Sequence, residues 1–315
     1  MRKTKKVGAV FLLVFTVFIA AAVAITLSSY DIISGVPTWN ELLPGVGKTS
    51  GAPAVAAGEA QVHFVDCWQG DCAVLLAEDQ VTVIDTGPGK YKYSTLQYIR
   101  DLGVEKIDNL ILTHPHEDHI GGAQLLIESF EIGNVYMARP AAGKEPTTAV
   151  YLNLLTAIRD KGLTIAQPPV GGEISAGPFT LQILAPNQTY EEPNNDSIVL
   201  RAVYGQTSFL FTGDAEREAE SDVLERFAQR VDCDVLKAGH HGSSTSSTDA
   251  FVAAASPQYA VISCGAGNSY GHPSGKTLET YAKYKVTVLR TDLSGSIVFT
   301  TDGTTLSYQT QEDAA

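Results

Sequence analysis

A chain of 315 residues, 44% of them hydrophobic, holds enough apolar material for one large domain or two small ones. Its 28 glycines and 14 prolines are ordinary counts, which excludes a low-complexity chain. The formal net charge of -13 excludes broad electrostatic attraction to nucleic acid or anionic lipid, so any polyanion site has to be local.

The first residues read MRKTKKVGAVFLLVFTVFIAAAVAITLSS. Arg2, Lys3, Lys5 and Lys6 precede an uncharged run over residues 7–27. As a helix this run is long enough to cross a bilayer, which takes about 20 apolar residues. The basic flank predicts a cytoplasmic N-terminus and an exported remainder. The tripeptide AVA at 22–24 is a candidate cleavage site, so a signal peptide is the alternative to an uncleaved anchor. Beyond residue 27 the chain holds 18 basic and 35 acidic residues, a net of -17. Residues 44–60, PGVGKTSGAPAVAAGEA, read as a linker. The embedded GVGKT is not a P-loop, because Leu42 stands where the motif needs glycine and no strand precedes it. The expected division is an anchor or signal peptide over 1–30, a linker over 31–60 and one domain over 61–310.

From residue 61 short apolar runs are broken by glycines. VHFVD, CAVLLA and VTVID predict a meander of three strands. STLQYIRDLG has helical spacing and a glycine stop. IDNLILT predicts a buried strand, AQLLIES a helix, IGNVYMA a strand and AVYLNLLTAIRDKG a second clear helix. Strands follow at FTLQILAP, SIVLRAVYG and TSFLFTGD, then a helix near 216–229. The strand in CDVLKAGHHGSS, a helix near 248–255, the strand YAVISCG and a helix near 275–284 come next. VTVLR, GSIVFT and TLSYQ close the chain as strands. Strands followed by interleaved helices, twice over, predict two mixed sheets packed together with helices outside. An exported domain permits disulfides. Cys67 and Cys72 flank a short turn and have the spacing to face each other; the pairing of the four cysteines, with Cys233 and Cys264, stays open.

The chemistry concentrates in LTHPHEDHIGG, residues 112–122. His114 and His116 are two apart and share a side of an extended backbone. Asp118 and His119 follow in a turn and can face the same point. Imidazoles and a carboxylate converging there suit Zn2+ or a related divalent ion. Gly121 and Gly122 are expected to let the next helix start close to such ions. Further ligands are expected where later strands end: Asp214 in FLFTGD, His240 and His241 in VLKAGHHGS, and His272 in SYGHPS. His63 lies inside the first strand and reads as structural.

These motifs resemble the metallo-β-lactamase superfamily, whose defining signature is H-x-H-x-D-H. FVDCWQGDCAVLL, VIDTG, NNDSIVLR, FLFTGDAE, DVLKAGHHGS and YGHPS together resemble the extracytoplasmic domain of ComEC-type competence proteins over about 61–308. The resemblance implies an α+β fold, an αββα sandwich, and a hydrolase with one or two divalent ions, Zn2+ or Mn2+. It places His114 and His116 on one ion, Asp118, His119 and His240 on the second, and Asp214 between them. It makes Asp85 in VIDTG a support of the metal loop. The chain departs from the pattern in three ways. No histidine lies between 119 and 240, so Asn195 or a water is left to fill that position. His116 stands where many ComEC-type domains carry aspartate. No counterpart of the membrane channel of those proteins is expected within these 315 residues.

The implied reaction is attack of a metal-activated water on a phosphorus or carbonyl centre, with Asp118 among the catalytic groups. His241 or His272 would protonate the leaving oxygen or bind a phosphate oxygen. Asn195, Lys237, Ser243 and Ser244 are candidate contacts for an anionic substrate. The expected function is an extracytoplasmic phosphodiesterase or nuclease, with DNA or another phosphodiester polymer as substrate, the membrane as partner of the N-terminal segment, and no protein partner. A phosphorylcholine or teichoic-acid esterase and a β-lactamase-like amide or thioester hydrolase are the alternatives.

Overall fold

The computed structural model describes residues 15–24, 55–140 and 143–311. The chain divides into two units, residues 1–51 and 52–315. In the first, residues 15–24 are helical. Among the described residues no helix is long and apolar enough to cross a membrane. The rest of the expected span at 7–27 and most of the expected linker lie outside the described residues.

In the second unit the apolar runs become strands, and along the central ones nearly every side chain is covered. β1 (Ala60–Phe64), β2 (Ala73–Ala77) and β3 (Gln80–Ile84) are the expected antiparallel meander. β4 (Lys106–Leu112) and β5 (Glu131–Met137) extend it in parallel, each reached through a helix, Lys92–Asp101 and Ala123–Ser129. Helix Ala149–Asp160 leads to the two-residue β6 (Ile165–Ala166). A second sheet then forms from β7 (Glu173–Ala176), β8 (Phe179–Ala185), β9 (Val199–Tyr204) and β10 (Thr207–Phe211), all antiparallel neighbours. β11 (Val235–Lys237), β12 (Tyr259–Ile262) and β13 (Thr287–Arg290) continue it in parallel, with helices Arg217–Phe227, Asp249–Ala255 and Gly275–Lys283 between them. The last two strands, β14 (Ile297–Thr301) and β15 (Leu306–Thr310), return to the first sheet, β14 lying beside β1. Among the described residues the orders are β15-β14-β1-β2-β3-β4-β5-β6 and β13-β12-β11-β10-β9-β8-β7.

The two-residue period of each strand sorts its side chains between layers. Phe64, Leu75, Ile84 and Ile111 of one sheet pack with Leu181, Leu200, Phe209 and Phe211 of the other. Their neighbours Val74, Val83 and Leu110 face outward onto Leu96, Ile99, Leu126 and Leu154 of the helices. On the far side, Leu210, Leu236 and Ala260 meet Val223, Phe251 and Tyr281. This is the αββα sandwich expected from the sequence. All four cysteines are free and buried, so the pairing of Cys67 with Cys72 is not made. Burial pushes both of those thiols up and keeps them protonated.

Candidate metal centre

The candidate residues sit where strands end. β3 runs into Asp85, β4 into Thr113 and His114, β10 leads to Asp214, β11 to His240 and His241, and β12 to Ser263. A strand end is rigid, while the turn that follows is free to aim side chains. His116 caps the four-residue helix Glu117–Ile120 with extended backbone, and the N–H groups of His119 and Ile120 donate to its carbonyl at 3.0 Å. Gly121 and Gly122 serve a different approach from the one expected. A Cβ on Gly121 would lie 2.1 Å from the Gly89 nitrogen, and one on Gly122 2.7 Å from the Thr86 carbonyl oxygen. The glycines therefore dock the histidine loop onto the turn that follows Asp85, rather than making room beside ions.

Asp85 has φ 56, a left-handed conformation uncommon for a non-glycine residue. From there its carboxylate accepts from the Thr113 N–H at 2.8 Å, from the Thr113 hydroxyl at 2.6 Å and from His119 Nδ1 at 2.8 Å. That fixes the His119 tautomer and turns its Nε2 toward Asp214 Oδ1, 3.2 Å away. Asp85 thus holds the loop that carries the candidate ligands through Thr113 and His119.

Asp214 divides the histidines into two halves. His119 Nε2 and His241 Nε2 approach Oδ1 at 3.2 and 3.6 Å. His114 Nε2 and His240 Nε2 approach Oδ2 at 3.8 and 3.7 Å. Asp118 joins the Oδ1 half, its Oδ2 3.2 Å from His241 Nε2. One potential ligand atom from each of Asp118, His119, Asp214 and His241 lies within 4.8 Å of the others. The other half is looser. His116 is exposed, its ring 4.7 Å from that of His114.

The charges ask for a cation. Burial alone would raise the Asp214 pKa, but His119, His241 and His114 outweigh it and hold the carboxyl well below its usual range. Burial lowers the His241 pKa, yet Asp214 and Asp71 win and push it up to about 10. His119 is raised by Asp214, Asp85 and Asp118 against the same burial penalty. His114 stays neutral, lowered by burial and by His119. Protons on His119 and His241 therefore compensate the charge of Asp214 and Asp118. Among the buried atoms that make no hydrogen bond are Asp71 Oδ1, His114 Nε2, His119 Nε2 and Asp214 Oδ1. Unsatisfied buried polar atoms are rare and costly, and imidazole nitrogens with carboxylate oxygens are the donor set of a divalent ion. These residues fit one.

Several expected roles change. His241, expected to meet a leaving group or a phosphate, is 1% exposed, and its Nδ1 donates to the Ser263 carbonyl at 3.0 Å. It takes the place expected of His240. His240 instead turns outward, its Nδ1 donating to Glu216 Oε1 at 3.1 Å. Both histidines have positive φ, 49 and 53, and this left-handed pair sends the neighbouring rings apart. Lys237 is buried against Asp71 Oδ2 at 2.7 Å and donates to the Ala238 carbonyl, so it does not face a substrate. Asn195 is buried, and its amide oxygen accepts from the N–H groups of Glu216 at 2.8 Å and Ala219 at 3.3 Å. It holds the N-terminus of helix Arg217–Phe227 instead of contacting an ion or substrate. Ser243 is buried in its own turn, its hydroxyl 3.0 Å from that of Thr245, whereas Ser244 is exposed. His272 lies at the rim, its ring 5.6 Å from His240. His63, expected to be structural, is fully buried between Tyr98 and Gln61.

Asp71 and Glu216 are the residues missed. Asp71 lies 3.2 Å from His241 Nδ1, and its N–H donates to the Asp118 carbonyl at 3.2 Å. A lone acid in WQGD carries no local signal of this. Only the pairing of two distant segments brings it to the site. A cavity of about 260 Å³ opens beside His116, lined by Pro115, Ala138, Pro140, Lys144 and Asp196 among others.

A family model described as the metallo-beta-lactamase superfamily matches residues 65–266. ComE operon protein 3 of Bacillus subtilis (strain 168) is 31% identical over 263 residues, 77% of this chain and 33% of that protein. Competence protein ComA of Neisseria gonorrhoeae is 29% identical over 267 residues, 84% of this chain and 36% of that protein. The chain thus spans about a third of the length of these curated relatives. The metallo-beta-lactamase fold protein YhfI from Bacillus subtilis aligns with a TM-score of 0.51 at 14% identity, over 80% of this chain and 100% of that one, a likeness of fold alone. The family match runs from the end of β1 to the loop after β12, through strands of both sheets and the strand ends that carry His114, His119, Asp214, His240 and His241: the chain belongs to the metallo-beta-lactamase superfamily.

Proposed function

We propose that the domain is an extracytoplasmic, metal-dependent phosphodiesterase, a nuclease acting on DNA or on another phosphodiester polymer. The observation that carries the reading is the meeting of His119 and His241 on one oxygen of Asp214, with Asp118 against His241 Nε2 and with His114 and His240 toward the other oxygen. A carboxylate approached from both sides suits a pair of divalent ions, and ion pairs suit in-line displacement at phosphorus. The substrate class is supported by a relative named as a competence protein and by the likeness to both relatives across most of the chain. The extracytoplasmic location rests on the basic and then apolar N-terminal sequence.

His114, His119, Asp118, Asp214 and His241 would hold a divalent ion, which would supply Lewis acidity for water activation near neutral pH and for the charge on an ester. The protein's own groups do the rest. Asp85 and Thr113 fix His119, while the Ser263 carbonyl fixes His241 with the Asp71 carboxylate 3.2 Å from the same nitrogen, so the ligand nitrogens need no rearrangement. Burial, then His240 and His241, lower the His272 pKa to about 4, which leaves that ring neutral at pH 7. A neutral His272 binds a phosphate oxygen through one N–H rather than serving as a strong acid.

The test is cleavage of labelled single- and double-stranded DNA by the whole chain with Mn2+ or Zn2+, with His116→Ala as control. Metal-dependent cleavage lost in the variant supports the nuclease. A folded, metal-loaded protein that leaves DNA intact sinks it. The net charge of -17 beyond residue 27 favours a second reading within the same chemistry, a phosphorylcholine or teichoic-acid esterase. Release of choline phosphate or glycerol phosphate from cell-wall polymer would select it.

A further inference from the structure

Tyr270 is 71% exposed, yet it is not on a loose loop. Asn268 holds the loop from inside. Its amide nitrogen donates to the carbonyls of Gly265 at 2.9 Å and His272 at 2.5 Å. Its amide oxygen accepts from the N–H groups of Tyr270 at 3.1 Å and His272 at 3.0 Å. A large aromatic ring presented to water on a frame this fixed loses little entropy when something covers it. The ring lies nearly parallel to that of His272, at 26° and 5.8 Å. The His272 ring stands 5.6 Å from that of His240, and its Nδ1 is buried with no partner. A row of rings therefore runs from solvent to the candidate metal centre.

The other end of the same loop carries a second aromatic group. The Trp68 ring lies flat on Gly265, where a Cβ would come within 2.7 Å of it, so only glycine allows the contact. Trp68 is 37% exposed and 5.8 Å from the ring of Tyr91. The Lys90 ammonium sits 5.5 Å from the Trp68 ring and 5.0 Å from that of Tyr91. Rings with one cation among them are the elements that hold unpaired bases, since every base has a face to stack. Duplex DNA hides those faces and is gripped through many phosphate contacts, which a domain of this net charge is poorly made to supply.

We propose that Tyr270, with Trp68 and Lys90 on the opposite end of the loop, forms a stacking surface for a single-stranded polynucleotide and delivers its backbone to the candidate metal centre. This rests on the phosphodiesterase reading for the chemistry, but its binding test stands apart from it. The probe is fluorescein-labelled oligothymidylate, added to the whole chain in chelator so that nothing is cut, with anisotropy as the readout. Tyr270→Ala is expected to weaken binding about tenfold, within the range for loss of one base stack, and Tyr270→Phe to bind as the parent does. A duplex of equal length is expected to bind more weakly than the single strand. The exposure of Tyr270 leaves both variants folded, which thermal melting checks. Equal binding by Tyr270→Ala, tighter binding of duplex, or tighter binding of a glycerol-phosphate polymer overturns the surface. Hydrolysis of bis(p-nitrophenyl) phosphate by the parent with Mn2+ is scored separately. Its absence, with Tyr270-dependent binding intact, removes the phosphodiesterase reading and keeps the surface. Hydrolysis with Tyr270-independent binding does the reverse.

Discussion

Asp71 Oδ1 lies 3.2 Å from His241 Nδ1, while Asp71 Oδ2 accepts from Lys237 at 2.7 Å. One buried carboxylate thus stands behind a candidate ligand, with a buried ammonium balancing its charge. The pair has two separable effects. Breaking it by removing either partner leaves a buried charge alone, which costs about 3–5 kcal/mol of stability. Its effect on the metal centre depends on which partner goes. Asp71→Asn removes negative charge and the support of His241, and is expected to weaken metal binding by about 10–100-fold. Lys237→Met removes positive charge and leaves Asp71 in place, so metal binding is expected to hold or tighten. Calorimetric titration with Zn2+ reads the affinity, and urea denaturation reads the stability. Equal weakening by both variants would reduce the pair to scaffolding.

His240 and His241 are neighbours in sequence with different surroundings, one 25% exposed in its side chain and facing Glu216, the other enclosed by Asp71, Asp118 and Asp214. His241→Ala is expected to lower metal affinity by more than the roughly 100-fold that losing an outer support costs. His240→Ala should cost less and should act on the more weakly held ion, because its half of the site is not drawn together. Metal content per chain, measured by elemental analysis after dialysis, separates the two. A His240→Ala protein stripped of all metal while His241→Ala keeps it would reverse the assignment.

The sequence made the sandwich legible because its signals are local. VTVID, IDNLILT and AQLLIES carry their own period, and β3, β4 and helix Ala123–Ser129 follow them closely. The dense histidine loop was legible for the same reason. What stayed hidden depends on distant segments. β6 has two residues and β7 four, too few to show a period, and each exists because a neighbouring strand offers it a ladder. The order of His240 and His241 was hidden because both residues take left-handed backbone, and nothing in HHGS announces that. Lys237 looked free because it precedes a polar loop, yet it sits on a strand whose register buries it opposite Asp71.

Asn195 gives a prediction that separates structure from substrate. Its amide oxygen satisfies two N–H groups at the start of helix Arg217–Phe227, the work of a capping residue done from another segment. Asn195→Ala is expected to cost about 1 kcal/mol of stability, as loss of a cap does. Asn195→Asp keeps an accepting oxygen and should cost less. Denaturation curves give both values. An Asn195→Ala protein of unchanged stability with a raised KM would restore the substrate-contact role.

His63 predicts how stability depends on pH. Its ring is fully buried in β1, Nε2 donating to Gln61 Oε1 at 3.1 Å and Nδ1 accepting from the Tyr98 hydroxyl at 3.0 Å. Burial lowers its pKa from 6.5 to about 3 in the folded chain. The unfolded chain therefore binds the extra proton first as pH falls. The stability that a neutral His63 allows is fully present above pH 6.5 and drains away between there and about 3. Every pH step of one within that window is worth about 1.4 kcal/mol, so His63 alone accounts for a loss of a few kcal/mol across it. His63→Gln keeps a polar side chain without the titration. Other histidines and the carboxylates titrate in both proteins and cancel in the comparison. Urea denaturation from about pH 7 down to about 4.5 should show the parent losing stability relative to His63→Gln by about 1.4 kcal/mol for each pH step of one, once below the histidine range. Stability curves that run parallel across that range would mean the His63 ring accepts a proton while folded, with the Tyr98 oxygen turning to receive it.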